Sequence, residues 1–149
     1  MSENPTITIR TAHESDAEII SQLLASLDYS ETQPFIRDRI TQLLANPDAT
    51  LLVATIDAHV IGVLSLHFIP QLALAGDFCR ISYFCVDESV RGAGIGAALE
   101  VRAAELALSR GCDRIEVHCH SRRVGAHRFY ARQGYVESPK YLAKSLVAG

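Results

Sequence analysis

One stretch constrains the fold more than any other: Cys85-Val86-Asp87-Glu88-Ser89-Val90-Arg91-Gly92-Ala93-Gly94-Ile95-Gly96-Ala97-Ala98-Leu99. An apolar, β-prone run from Ile81 to Val86 stops at two acids, and three glycines follow within five positions. An Ala- and Leu-rich run then continues with helical spacing to Arg110. The pattern predicts strand, glycine loop, helix. Glycine lets the backbone turn tightly and lets a ligand approach main-chain N–H groups. The first N–H groups of a helix have no acceptor inside it, and the helix dipole adds positive potential there. Such a corner suits a phosphate or pyrophosphate, and Arg91 adds a fixed positive charge at its edge.

Three phosphate loops compete for this stretch. A Walker loop ends in Gly-Lys-Ser/Thr, which is missing here. Gly92-x-Gly94-x-x-Ala97 matches the loose dinucleotide fingerprint, which also needs an acid closing the next strand to hold a ribose. The next β-prone run, near Asp113 to Cys119, ends in Cys-His, and too few residues remain for a dinucleotide domain. The third candidate is a coenzyme A loop, Arg91-x-x-Gly94-x-Gly96 after a Val-Asp strand end.

The chain has 149 residues, which predicts one domain over 1–149, long enough to bury roughly 68–70% of its unfolded surface. A net charge of −3 and the lack of a dominant basic patch argue against nucleic-acid and membrane-surface roles. No apolar run reaches the length of a membrane span, and the first residues lack a signal-peptide pattern. These features predict a cytoplasmic protein. A homodimer is left open. Cys79, Cys85, Cys112 and Cys119 have no Cys-x-x-Cys spacing and read as thiols packed in strands.

Taken in order, Thr6–Arg10 alternates as a first strand, and Thr11 with Glu14 has capping-box spacing before a helix carrying Ile19, Ile20, Leu23, Leu24 and Leu27. A second helix runs from about Phe35 to Ala45. Leu51–Ile56 and Val60–Ile69 form a hairpin around Asp57-Ala58-His59, and Phe78–Val86 is a central strand. After the glycine loop and its helix, capped by Gly111, Arg114–His120 alternates as a strand. Val124–Gly134 is a short helix, and 135–137 and 141–146 read as two last strands. The order β α α β β β α β α β β describes an α/β chain with a mixed sheet, since strand–helix–strand alternation requires a crossover and parallel pairing.

A second signal lies downstream: Phe129-Tyr130-x-x-x-Gly134-Tyr135 at the end of a helical run. With Arg91-x-x-Gly94-x-Gly96, it resembles the motif pair of the GNAT superfamily of N-acetyltransferases, over nearly the whole chain and most strongly from Leu51 to Tyr135. The resemblance implies a mixed sheet whose central parallel strands splay, with acetyl-CoA as co-substrate in the splay. It implies that main-chain N–H groups from Arg91 through Gly92, Ala93, Gly94, Ile95 and Gly96 to Ala97 hold the pyrophosphate. It also implies that the strand end at Cys85 and Val86 pairs with the pantetheine amides and that Tyr130 protonates the leaving thiolate. Within the superfamily, Leu64–Phe68 and Ala126–Tyr130 look most like small aminoalkylphosphonate acetyltransferases. Arg80 and Tyr83 stand where that group has carboxylates, and His120 stands where many members have Asn.

Acetyl transfer to an amine needs the amine neutral, and an alkylamine of pKa about 10.4 is only about one part in 2,500 neutral at pH 7. The central strand carries no Glu to serve as base. His118 and His120 share one strand face, and imidazole has a suitable pKa. They read equally well as solvated or structural histidines. No third ligand accompanies them, so no metal is expected. Arg80, Tyr83, His67 and Arg122, with Arg123, are candidates for the acceptor side, where they would favour a small primary amine with an anionic group. Asp28, Glu31, Asp38 and Asp77 would instead favour a cationic acceptor. The alternative to an enzyme is a non-catalytic acetyl-CoA-binding sensor or interaction module.

Overall fold

A hairpin seeds the sheet. β2 (Ala49–Ile56) and β3 (His59–Ile69) are joined by Asp57 and Ala58, both left-handed, at φ 51° and 67°. Two residues at positive φ give the turn whose twist matches that of the flanking strands. β1 (Ile7–Thr11) adds antiparallel to β2, and β4 (Phe78–Val86) antiparallel to β3. β5 (Arg114–Val117) adds parallel to β4, completing the order β1-β2-β3-β4-β5. The crossover between the parallel strands is α3 (Ile95–Ser109).

The computed structural model describes residues 6–90, 92–118, 124–137 and 142–147. They fall into two units, 1–118 and 119–149, each taken by itself. In the first unit helices cover both sheet faces. α1 (Ala17–Ala25) and α2 (Ile36–Ala45) pack Ile20, Leu23, Leu24, Ile36 and Ile40 against Leu51, Val53, Val63 and Cys85. On the opposite face Ile95, Leu99, Ala103 and Ala107, spaced four apart on α3, are buried. A Cβ added at Gly62 would lie 3.1 Å from Leu99 Cδ1, so β3 and α3 approach closely there. Each such contact removes apolar surface from water at roughly 25 cal/mol per Å².

Two expectations are corrected. The Thr11–Glu14 capping box does not form: Thr11 ends β1, a 3₁₀ turn occupies Glu14–Asp16, and α1 starts at Ala17. The stronger partner of this corner is Arg10. Its guanidinium donates to both Asp16 carboxylate oxygens, at 2.8 and 3.0 Å, and Asp16 also accepts the His13 N–H at 2.8 Å. The capping acid is thus Asp16, two residues later than the spacing suggests, because Thr11 is used by β1 and the N-cap position falls to His13. The two last strands are also not found. Residues 135–137 and 142–147 carry no strand, and among the described residues no ladder reaches them. Val136, Leu142 and Leu146 are 87%, 93% and 90% exposed, and Tyr141 lies outside the described residues. The second unit contributes α4 (Val124–Arg132), closed by Gly134 at φ 94°.

The Arg10 hydrogen bonds hold the Asp16 carboxyl below the usual carboxylate range. A depressed folded pKa stabilises the fold above the unfolded pKa, and that stability is lost as pH falls through the folded value. Asp16→Asn should therefore cost about 1–3 kcal/mol at neutral pH. The melting-temperature gap between wild type and variant should close as pH falls below about 4. A gap independent of pH would show that the charge is not what matters.

Candidate functional site

The glycine loop is built in three steps. Asp87 first turns the chain out of β4: its carboxylate accepts the Ser89 N–H at 2.9 Å and the Ser89 hydroxyl at 2.8 Å. These bonds hold the Asp87 carboxyl below its ordinary value. A 3₁₀ turn, Glu88–Val90, follows. Gly92 and Gly94 then sit at φ 89° and 83°, a region that favours glycine. Gly94 caps α3, and the first N–H bonded back onto it is that of Ala98, 3.0 Å from the Gly94 carbonyl. The N–H groups of Ile95, Gly96 and Ala97 thus open the helix with no acceptor inside it. A Cβ built at Gly92 or Gly94 meets nothing within 4 Å, so space stands beside this backbone. Ile95 is 1% exposed and Leu99 0%, which anchors the helix start in the core. Arg91 lies outside the described residues.

The central strands meet only briefly. The β4–β5 ladder runs from Phe78↔Arg114 to Ile81↔Val117, whereas β4 continues to Val86. At that point β4 also carries a bulge: Leu66 pairs with Ile81 and Ser65 with Tyr83, which leaves Ser82 as the extra residue. His67 Nδ1 lies 2.7 Å from the Ser82 hydroxyl. The bulge changes which face β4 presents. Cys79 and Ile81 pair with Phe68 and Leu66, whereas Tyr83 and Cys85 pair with Ser65 and Val63. Tyr83 is thereby delivered to a cavity of about 480 Å³. Leu51, Val63, Ser65, His67 and Tyr83 form the sheet side of this cavity, and residues of α1, α2 and the segments flanking α2 form the rest. Tyr29 meets Tyr83 edge to face at 5.5 Å, and the buried Ser21 and Thr32 hydroxyls bond each other beneath that connection.

The glycine corner, the end of the β4–β5 ladder and the cavity are thus all set by one strand, β4. The family model for the Acetyltransferase (GNAT) family matches residues 17–135. This chain belongs to the GNAT family of acetyltransferases. As a member it is an N-acetyltransferase, of a family that uses acetyl-CoA. It is 31% identical over 144 residues to the aminoalkylphosphonate N-acetyltransferase of Salmonella typhimurium, covering 95% of this chain and 93% of that protein. Among solved structures it resembles a transcriptional regulator from Bacillus halodurans, with TM-score 0.86, 28% identity and coverage of 95% and 100%. The fold of a Trypanosoma brucei acetyltransferase is also similar, with TM-score 0.80, 22% identity and coverage of 95% and 100%.

Other residues of the acetyltransferase singled out by sequence are dispersed. Arg80 stands across from His67 on β4, but its guanidinium lies 3.5 Å from Glu116 and over the Phe78 ring at 5.5 Å. Arg80 does not line the cavity, although His67 and Tyr83 do. His118 is exposed just past β5, and His120, Arg122 and Arg123 lie outside the described residues. Val86 pairs with Gly62 on β3. The buried Cys85 thiol donates to the Leu23 carbonyl at 3.0 Å. Burial pushes the Cys79 thiol up to about 12, which makes it a poor nucleophile. In the second unit the Tyr130 ring packs between Phe129 at 5.4 Å and Tyr135 at 5.3 Å. The Tyr135 N–H closes α4 on the Tyr130 carbonyl at 3.0 Å. Sequence reading missed Ser82, Tyr29 and Arg39. Tyr29 sits in the polar break between α1 and α2, where an aromatic residue is a usable signal, but an inserted strand residue such as Ser82 leaves no periodic trace.

Gly94→Ala isolates the conformational requirement, since its methyl would meet nothing within 4 Å. Holding Ala at positive φ should cost about 1–2 kcal/mol, read as a lowered melting temperature. An unchanged melting temperature would mean that the loop relaxes to negative φ.

Proposed function

We propose that this enzyme transfers acetyl from acetyl-CoA to a small primary amine with an anionic tail, by direct attack within a ternary complex. One observation carries the reading: glycines at positive φ present the N–H groups of Ile95, Gly96 and Ala97 at the start of α3, directly after β4, whose parallel ladder with β5 stops at Ile81. Backbone from Gly92 to Ala97 with Arg91 would hold the pyrophosphate, and the strand end at Cys85 and Val86 would pair with the pantetheine amides. When bound, the thioester supplies an acyl group activated toward amines. The name of the Salmonella relative, an aminoalkylphosphonate N-acetyltransferase, supports an acceptor that carries an anion.

The chain's own residues then have two proton tasks. Bringing a neutral amine out of its ammonium form costs about 4.6 kcal/mol at pH 7, at 1.36 kcal/mol per pKa unit. His120, with His118, would take that proton. Tyr130 would return one to the departing thiolate. Its reference pKa of about 10 lies close enough to the thiol's, about 8.5, for general-acid catalysis.

Calorimetric titration should show acetyl-CoA binding in preference to NADH. Tyr130→Phe keeps the ring packing and should lower kcat by about 10²–10⁴ while acetyl-CoA affinity stays close to wild type. Tight NADH binding without acetyl-CoA binding would overturn the cofactor assignment, and Tyr130→Phe activity within about twofold of wild type would move the acid elsewhere. His120→Ala should lower kcat/KM and flatten the acidic limb of its pH profile. If neither His120→Ala nor His118→Ala changes that profile, the proton goes directly to water.

A further inference from the structure

The cavity between α1, α2 and the sheet is larger and more apolar than a short aminophosphonate requires. Its volume of about 480 Å³ lies in the range of sites that enclose a drug-sized ligand. Much of its wall is core: Ile20, Leu24, Ile36, Ile40, Leu51 and Val63. The half-exposed Tyr29 and Phe35, at 50% and 47%, extend the apolar wall outward. No described carboxylate lines it: Asp28, Glu31, Asp38 and Asp77 all lie elsewhere. The fixed cation on the wall is Arg39 of α2, which donates to the neutral Gln42 side chain at 2.6 Å and makes no ion pair among the described residues. At the sheet side stand His67 and Tyr83, next to the bulge at which the β4–β5 ladder ends.

Resting on the acetyltransferase reading above, we infer that the acceptor is an amphiphilic amino acid in which an apolar spacer or ring separates the amine from a carboxylate. The spacer fills the cavity, the carboxylate pairs with Arg39, and the amine points past Tyr83 toward the end of the β4–β5 ladder. Arginine suits this task because its planar fork grips a carboxylate bidentately. The absence of a lining carboxylate disfavours polyamines, since an ammonium desolvated against apolar walls needs a partner. The Arg80 guanidinium, turned toward Glu116, is not the anion reader.

The experiment compares thiol release with 4-(aminomethyl)benzoate, 4-methylbenzylamine, 2-aminoethylphosphonate and spermidine, using the full chain and acetyl-CoA. The expected order puts 4-(aminomethyl)benzoate first, at least about tenfold above each of the others in kcat/KM, as one missing charged contact predicts. Arg39→Met should bring the ratio of 4-(aminomethyl)benzoate to 4-methylbenzylamine close to one, mainly through KM. Val63→Phe, which fills the cavity, should remove the preference for the aromatic amines over 2-aminoethylphosphonate. Arg39 lies at the surface, so its variant tests the idea even if the core variant misfolds. Preference for 2-aminoethylphosphonate or spermidine would overturn this inference and leave acetyl transfer standing. If acetyl-CoA binds but no amine releases thiol, thermal stabilisation by the same four compounds still decides. Stabilisation by 4-(aminomethyl)benzoate that Arg39→Met abolishes upholds the cavity's chemistry while the transfer reading fails. Equal or absent stabilisation overturns it.

Discussion

The bulge at Ser82 is the constraint on which the site depends. A strand alternates faces with a period of two, so a single inserted residue reverses every side chain beyond it. In β4 the inner half sends Cys79 and Ile81 to the side of Phe68 and Leu66. The outer half sends Tyr83 and Cys85 to the side of Ser65 and Val63. Without the insertion, Tyr83 would face away from the cavity and Cys85 would leave the α1–α2 core. The His67–Ser82 hydrogen bond links the inserted residue to the neighbouring strand. The parallel ladder to β5 ends at Ile81, immediately before it. Reversal of the face and the end of the parallel ladder therefore coincide at one place.

The glycine corner depends on the same strand from its other end. β4 delivers the chain at Val86, the Asp87–Ser89 bonds turn it, and two residues at positive φ bring it into α3. Ile95 and Leu99 fix the helix by burial, and Gly62 lets α3 approach β3 closely. The helix N-terminus is thus held by the core rather than by its own loop. That separation lets the loop be shaped for a ligand without loss of the fold, because loops carry function on a scaffold whose packing supplies the stability.

Several arginines are committed to the fold. Arg10 closes the turn before α1 through Asp16. Arg110 ties the end of α3 to Pro47 and Asp48 while stacked over Phe68 at 4.2 Å. Arg114 and Arg80 share Glu116. Apart from the Arg10–Asp16 pair, whose carboxylate is largely buried, such surface pairs contribute little individually, but each neutralises a charge that would otherwise be available to a ligand. Arg39 is the exception on the cavity wall, which makes it the more informative cation for acceptor choice.

Much of this protein was legible in its sequence because the signals are local. Three glycines at a strand-to-helix junction, the Phe-Tyr-x-x-x-Gly-Tyr segment, and clear apolar periods in α1, α2, α3 and the β2–β3 hairpin require only neighbouring residues to be read. These were enough for the element order through α4, for the mixed sheet and for the family. What only the tertiary structure decided is non-local. The capping acid before α1 is Asp16 rather than Glu14, and it is held by an arginine on β1 that no local spacing points to. The apolar residues at 135–137 and 142–147 have strand composition but no described ladder, and a strand exists only through its partner. The face of Tyr83 and the commitment of Arg80 to Glu116 depend on register and on cross-strand neighbours. No one-dimensional pattern encodes them, because each is settled by residues that lie far apart in the chain and meet only in the folded sheet.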